Sequence, residues 1–118
     1  MCATAASDPF EEGLDAYNTG DYVTALRLWR PLAEHGRANA QHNLGVMHRS
    51  GQGVPQNYVQ AHMWFNLAAS RLLPGEGYNA AIQERNLVAE SMTPTQIAEA
   101  QKLAREWKPR EEKSETPE

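Results

Sequence analysis

Two stretches of this chain can be laid on one another. GDYVTALRLWRPLA (residues 20–33) sets against QNYVQAHMWFNLAA (residues 56–69). Tyr22 then falls on Tyr58, Val23 on Val59, Ala25 on Ala61 and Ala33 on Ala69, each 36 residues on. In the segments just before, Gly13 falls on Gly45, only 32 residues on. A repeat of this period is one supersecondary unit made twice, and such a unit buries its apolar face by stacking on its neighbour. The four-residue difference between the two offsets belongs to the connection inside the second unit, the QGVP region of GQGVP (residues 51–55).

The units read as helix pairs, because no segment alternates apolar and polar residues as a strand does. Asp8-Pro9-Phe10-Glu11 offers an N-cap, a proline at the first helical position and an acceptor at the third, a capping-box pattern. The first helix carries Phe10, Leu14 and Tyr17 and stops at Gly20. Asp21 caps a second, with Tyr22, Ala25, Leu26, Trp29 and Ala33 on one face, a kink or loosened turn expected at Pro31, and an end at Gly36. A third runs from about Asn39 to Ser50, with Leu44, Met47 and His48 facing one way and Gly51 as the stop. Asn57 and Gln60 supply cap and third-position acceptor for a fourth, followed by a connection over residues 72–77. A fifth is expected over about Tyr78–Ser91. Thr93-Pro94-Thr95-Gln96 opens a sixth, whose stripe is Ile97, Ala100, Leu103, Ala104 and Trp107. The expected division is a disordered segment at residues 1–7, a helical domain at 8–108 with hairpins at about 8–36, 37–72 and 77–108, and a disordered tail at 109–118.

With 118 residues the chain has the size of one domain, and 41% apolar with 22% charged residues marks it as globular. Its net charge of −4 gives no basic footprint for nucleic acid or an anionic membrane. Apolar runs are only a few residues long, so no membrane span is expected. MCATAASDP lacks a basic start and a long apolar stretch; it resembles the small-residue end of a signal peptide. The expectation is a cytoplasmic protein as written, periplasmic if a signal has been removed upstream.

Candidate chemistry is sparse. GQGVP lacks the Gly-Lys-Ser/Thr of a phosphate loop and the strand that precedes a dinucleotide loop, so it reads as a structural elbow. His35, His42, His48 and His62 follow at intervals of 7, 6 and 14, and metal-binding helices need 3 or 4. His42 reads as a surface contact residue and His48 as a partly buried polar group. Ser50, Ser70 and Ser91 sit at helix ends, and the lone Cys2 has no defined partner. Glu11, Glu12 and Asp15 lie where a helix dipole favours acids. No catalytic, cofactor-binding or metal-ligating residue is assigned, and no enzyme is expected.

The second unit resembles the Sel1-like repeat family, a relative of tetratricopeptide repeats. The resemblance is carried by Leu44, Gly45, Gly51, Gly53, Val54, Asn57, Ala61, Trp64, Ala68 and Ala69, ten ordered positions. One departure is His48, where the family has an aromatic residue. The first hairpin is nearer to a tetratricopeptide repeat, through Gly13, Gly20, Asp21, Tyr22 and Ala25. MTPTQIAEAQKLAREWKP looks like the ending of small bacterial Sel1-like proteins, a degenerate capping pair. The resemblance implies an all-α, short right-handed solenoid of three antiparallel hairpins. It also implies a non-enzymatic adaptor or scaffold whose first helices line a concave face. Carried over by position, that face holds Leu14, Tyr17 and Asn18 from the first helix and Asn39, His42, Val46 and Arg49 from the third. Exposed Leu14, Tyr17 and Val46 beside amides and Arg49 would suit an extended peptide. The rival readings are a self-assembling module, dimerising through an exposed solenoid end, and a cell-envelope factor, although envelope relatives often carry cysteine pairs that this chain lacks.

Overall fold

The computed structural model describes residues 8–110. The expectations for residues 1–7, for Cys2 and for the tail from Glu111 on lie outside the described residues. Six helices follow in order: α1 (Pro9–Asn18), α2 (Tyr22–Glu34), α3 (Ala38–Ser50), α4 (Tyr58–Ser70), α5 (Glu76–Ala89) and α6 (Pro94–Glu106). No strand occurs among the described residues, and the fold is all-α, of the helical-repeat kind that the sequence implies.

Local chemistry sets most of the boundaries. The side chains of Asp21 and Asn57 accept from the Thr24 and Gln60 N–H groups. Thr93 and Gln96 form a complete reciprocal capping box. The Asp8 pattern is realised differently. Its carboxylate accepts from the Phe10 N–H and is otherwise held by both terminal nitrogens of Arg37, at 3.1 and 2.9 Å. That pair joins the start of α1 to the start of α3, and the Arg37 guanidinium also lies 5.1 Å from the centre of the Phe10 ring. The α2 helix continues through Pro31 to Glu34, because the proline faces solvent and only the Arg27 carbonyl loses its helical donor. The α5 helix begins at Glu76, two residues before the expected Tyr78, and ends at Ala89.

The hairpins are locked by rings resting on bare backbone. Trp29 of α2 lies on Gly13 of α1, and a methyl group at Gly13 would overlap the indole. Phe65 of α4 lies on Gly45 of α3, where a methyl group would sit 2.6 Å from the ring. Phe65 is 36 residues beyond Trp29, so the two contacts are one interaction repeated. Trp29 also donates its indole N–H to the Phe10 carbonyl at 3.1 Å. Both rings are essentially fully buried.

The connections differ as the offsets require. Thr19–Asp21 joins α1 to α2 with three residues, and Gly51–Asn57 joins α3 to α4 with seven. The longer loop docks on the first hairpin. Gly51 and Gly53 hold φ of 70° and 74°, which side-chain-bearing residues rarely adopt. A methyl group at Gly53 would also approach the Tyr22 carbonyl oxygen to 3.1 Å. Gln52 accepts a hydrogen bond from the Tyr17 hydroxyl at 2.8 Å, and Val54 packs on the main core.

The third pair departs from the expected hairpin. Contacts between α5 and α6 are marginal; each packs instead on α4. The two diverge from the turn at residues 90–93, with Val88, Met92, Ile97 and Ala100 meeting Ala61 and Phe65 of α4. The α4 helix is therefore enclosed by α3, α5 and α6. It has the composition for that place, with Ala61, Met63, Trp64, Phe65, Leu67, Ala68 and Ala69 buried around its circumference. The end of α6 returns towards the first hairpin. Trp107 meets Trp64 edge-on at 6.4 Å, and the Arg71 guanidinium lies 5.4 Å from the Trp107 ring. Arg110, placed in the tail by the sequence reading, is tied to Glu34.

Two histidines are enclosed in this packing. His48 and His62 are 9% and 3% exposed, and the Nδ1 atom of each is buried without a partner. Burial holds both pKa values below the ordinary imidazole value, and the nearby Arg30 (for His48) and Arg85 (for His62) push the same way.

Two predictions follow from the packing and the histidines. Gly45→Ala should destabilise the fold by about 1–3 kcal/mol in urea unfolding, as overpacking does. Gly77→Ala, where the nearest atom to the new methyl group is 3.6 Å away, should be neutral or mildly stabilising. A base whose pKa is lower in the folded state binds more protons when unfolded. Stability should therefore be full above about pH 6.5 and fall as the pH drops below it. His62→Gln should flatten the slope in urea titrations across that window. An unchanged slope would contradict a neutral buried His62.

Candidate protein-binding face

The packing pattern leaves one side open. The α2 helix packs on α1 and α3, and α4 packs on α3 and α5, while α1, α3 and α5 do not pack closely on one another. Two clefts result, one on each side of α3.

The first cleft, of about 220 Å³, lies between α1 and α3. Leu14, Tyr17 and Asn18 form one wall, at helical spacings of three and four. His42, Asn43 and Val46 form the other, and the buried Trp29 lies beneath as its floor. The second cleft, of about 210 Å³, lies between α3 and α5. Ala38, Asn39, His42 and Asn43 line its α3 side, and Leu72, Gly77 and Ala80 the other. His42 and Asn43 thus form a ridge shared by both. Each cleft is below the roughly 300–1,000 Å³ of small-molecule sites, so each fits a side chain rather than a cofactor.

The walls are fixed before anything binds. The Tyr17 ring lies 5.1 Å from Tyr22 and 5.7 Å from Trp29, and its hydroxyl is committed to Gln52. His42 meets the Phe65 ring edge-on at 5.3 Å. Burial lowers the His42 pKa; Glu84 raises it and Arg49 lowers it further, with burial prevailing. The ridge is therefore neutral at pH 7.

Five of the seven residues expected on this face, Leu14, Tyr17, Asn18, His42 and Val46, meet in the first cleft, and Asn39 stands in the second. Leu14, Tyr17 and Val46 are half-buried rather than exposed, since the same side chains also pack on the core. His42, expected as a surface contact, is half-buried for the same reason. Arg49 stands apart from the clefts. Its guanidinium pairs with Glu84 of α5, beside Tyr58 and Leu87, so its charge is already matched. Sequence reasoning missed Asn43 and Trp29. Asn39, Asn43 and Val46 follow at four and three residues, a helical stripe visible in the sequence. Trp29 reads correctly as core, and nothing local shows that one edge also floors a cleft.

Among the described residues, no three His, Cys, Asp or Glu side chains group so as to hold a metal ion, and no helix is long and apolar enough to cross a membrane. The family model of the Sel1 repeat matches residues 38–71, from the start of α3 to the residue after α4. Comparison with curated proteins finds no match. Comparison with solved structures finds none either. Sel1 repeats generally mediate protein–protein interaction and are typically non-catalytic. The α3–α4 hairpin that separates the two clefts thus matches the Sel1 repeat, and the six helices of the described residues are consistent with a Sel1-like helical repeat.

Proposed function

We propose that this protein is a non-enzymatic adaptor that takes an extended segment of a partner protein across the face lined by α1, α3 and α5. The observation that supports this reading is the pair of side-chain-sized clefts on the two sides of the His42–Asn43 ridge. Apolar side chains of the segment enter the clefts against Leu14, Tyr17 and Val46 on one side and Leu72 on the other. The carboxamides of Asn18, Asn39 and Asn43 stand at the rims and offer both donors and acceptors, the combination a peptide backbone needs. The rings that wall the first cleft are already held in place, so binding orders few side chains and loses little entropy. Arg49 steadies α5 against α3 through Glu84 and contacts no ligand directly.

The test is selection of binding peptides from a displayed library against the full chain, followed by titration of variants. Val46→Arg places a charge in the first cleft from a half-buried helix position. It should weaken the selected peptides at least about tenfold, or about 1.4 kcal/mol, with the helical content unchanged. Arg49→Gln should leave affinity within about threefold, since rim or already paired charges contribute little. Equal affinity for Val46→Arg and the parent would place binding elsewhere.

A further inference from the structure

Charge in this chain is sorted by helix. The three helices of the open face, α1, α3 and α5, hold five acids and two arginines, while α2, α4 and α6 hold three acids and four bases. Both arginines of the face are engaged. Arg49 pairs with Glu84, and Arg85 donates to the side chains of Asn66 and Asn86. Glu11, Asp15 and Glu76 are exposed, and none of them has an ion-pair partner among the described residues.

These three acids border the clefts. Glu11, Leu14 and Asn18 follow at three and four residues, so Glu11 lies on the cleft side of α1. Its charge reaches across to the start of α3, where Asp8 raises the Arg37 pKa and Glu11 adds to the rise. Asp8 and Glu11 share that one cation, so the corner stays net acidic. Asp15 is three residues before Asn18 of the first cleft, and Glu76 is four before Ala80 of the second. No Asp, Glu, Lys or Arg lines either cleft, and His42 between them is neutral at pH 7. The face is thus a pair of uncharged, side-chain-sized hollows between acidic borders.

We propose that the segment this face takes is basic: two apolar side chains enter the clefts, and Lys or Arg residues outside them meet Glu11 and Asp15 at one edge and Glu76 at the other. The proposal rests on binding at the clefts and gives the partner its chemistry. A charged side chain entering a cleft would lose its hydration and find no counter-charge there. An acidic residue at either border meets like charge, and this repulsion discriminates between partners. Basic residues are attracted before contact, so the encounter is faster at low salt.

The test selects peptides from a displayed random library against the full chain. Those weakened by Val46→Trp, which fills the first cleft without adding charge, are the cleft binders. Their sequences should carry Lys or Arg on both sides of a pair of apolar residues. Glu11→Gln with Asp15→Asn and Glu76→Gln should weaken them at least about fivefold at low salt, the scale of three exposed charge contacts together. Glu99→Gln with Glu106→Gln, on α6, should change affinity less than about twofold. Raising the salt from about 0.01 M to about 1 M shortens the screening length from about 30 Å to about 3 Å. That change should weaken binding to the parent and leave the triple variant nearly unaffected. Cleft binders that are neutral or acidic, or that respond equally to salt in the parent and the triple variant, would overturn the basic segment and leave binding at the clefts standing. Peptides that all ignore Val46→Trp would overturn both.

Discussion

An aromatic ring laid on a bare stretch of helix sets the spacing of each of the first two hairpins. Trp29 rests on Gly13 and Phe65 on Gly45, and any side chain at either glycine would force the helices apart. Close packing at these points lets a ring occupy the space that a second helix's side chains would otherwise fill. The same two rings then shape the open face. Trp29 floors the first cleft, and Phe65 holds the edge of His42, which divides the first cleft from the second. The open face and the hairpin lock are thus two sides of one arrangement, and the face inherits its rigidity from the core.

The remainder of the fold closes the opposite side. The α4 helix is buried around most of its circumference, largely by apolar side chains, and is stable only when enclosed. A third hairpin of the same kind as the first two would place α6 against α5. Instead α5 and α6 part from their turn and both lie on α4. Trp107 then meets Trp64, and Arg71 covers the outer face of that contact. Arg110 carries the chain on to Glu34 of the first hairpin, 76 residues back in sequence. A short repeat array needs terminal elements that shield its exposed core, and here one helix and the segment after it serve in that role.

What the sequence showed depended on the range of the interaction. The Asp21, Asn57 and Thr93 caps, the Gly51 stop and the extended second elbow were all legible, because each is decided within a few residues of chain. The repeat offset fixed which helices correspond, and the resemblance to tetratricopeptide-like stacks put Leu14, Tyr17, Asn18, His42 and Val46 on one face, where the first cleft lies. Longer-range competition was not legible. Asp8 caps α1 locally through the Phe10 N–H, yet the same carboxylate is also held by Arg37, 29 residues away. Arg49 looked like a free anchor until α5 brought Glu84 to it. Leu14, Tyr17 and Val46 looked exposed because helical periodicity assigns a face but not how deeply a neighbouring helix covers it. The splaying of α5 from α6 follows from the apolar surface of α4, which exceeds what α3 alone can cover.

The claim that ring-on-glycine contact fixes the hairpin is tested most directly by a double-mutant cycle at Gly45 and Phe65, measured by urea unfolding of the full chain. If the ring excludes a methyl group at Gly45, Gly45→Ala should cost clearly less in a Phe65→Leu background, where the smaller side chain leaves room. The coupling should then be at least about 1 kcal/mol, within the range for residues in direct contact. Additive effects, within about 0.5 kcal/mol, would contradict it and leave the spacing of α3 and α4 to be explained by other contacts.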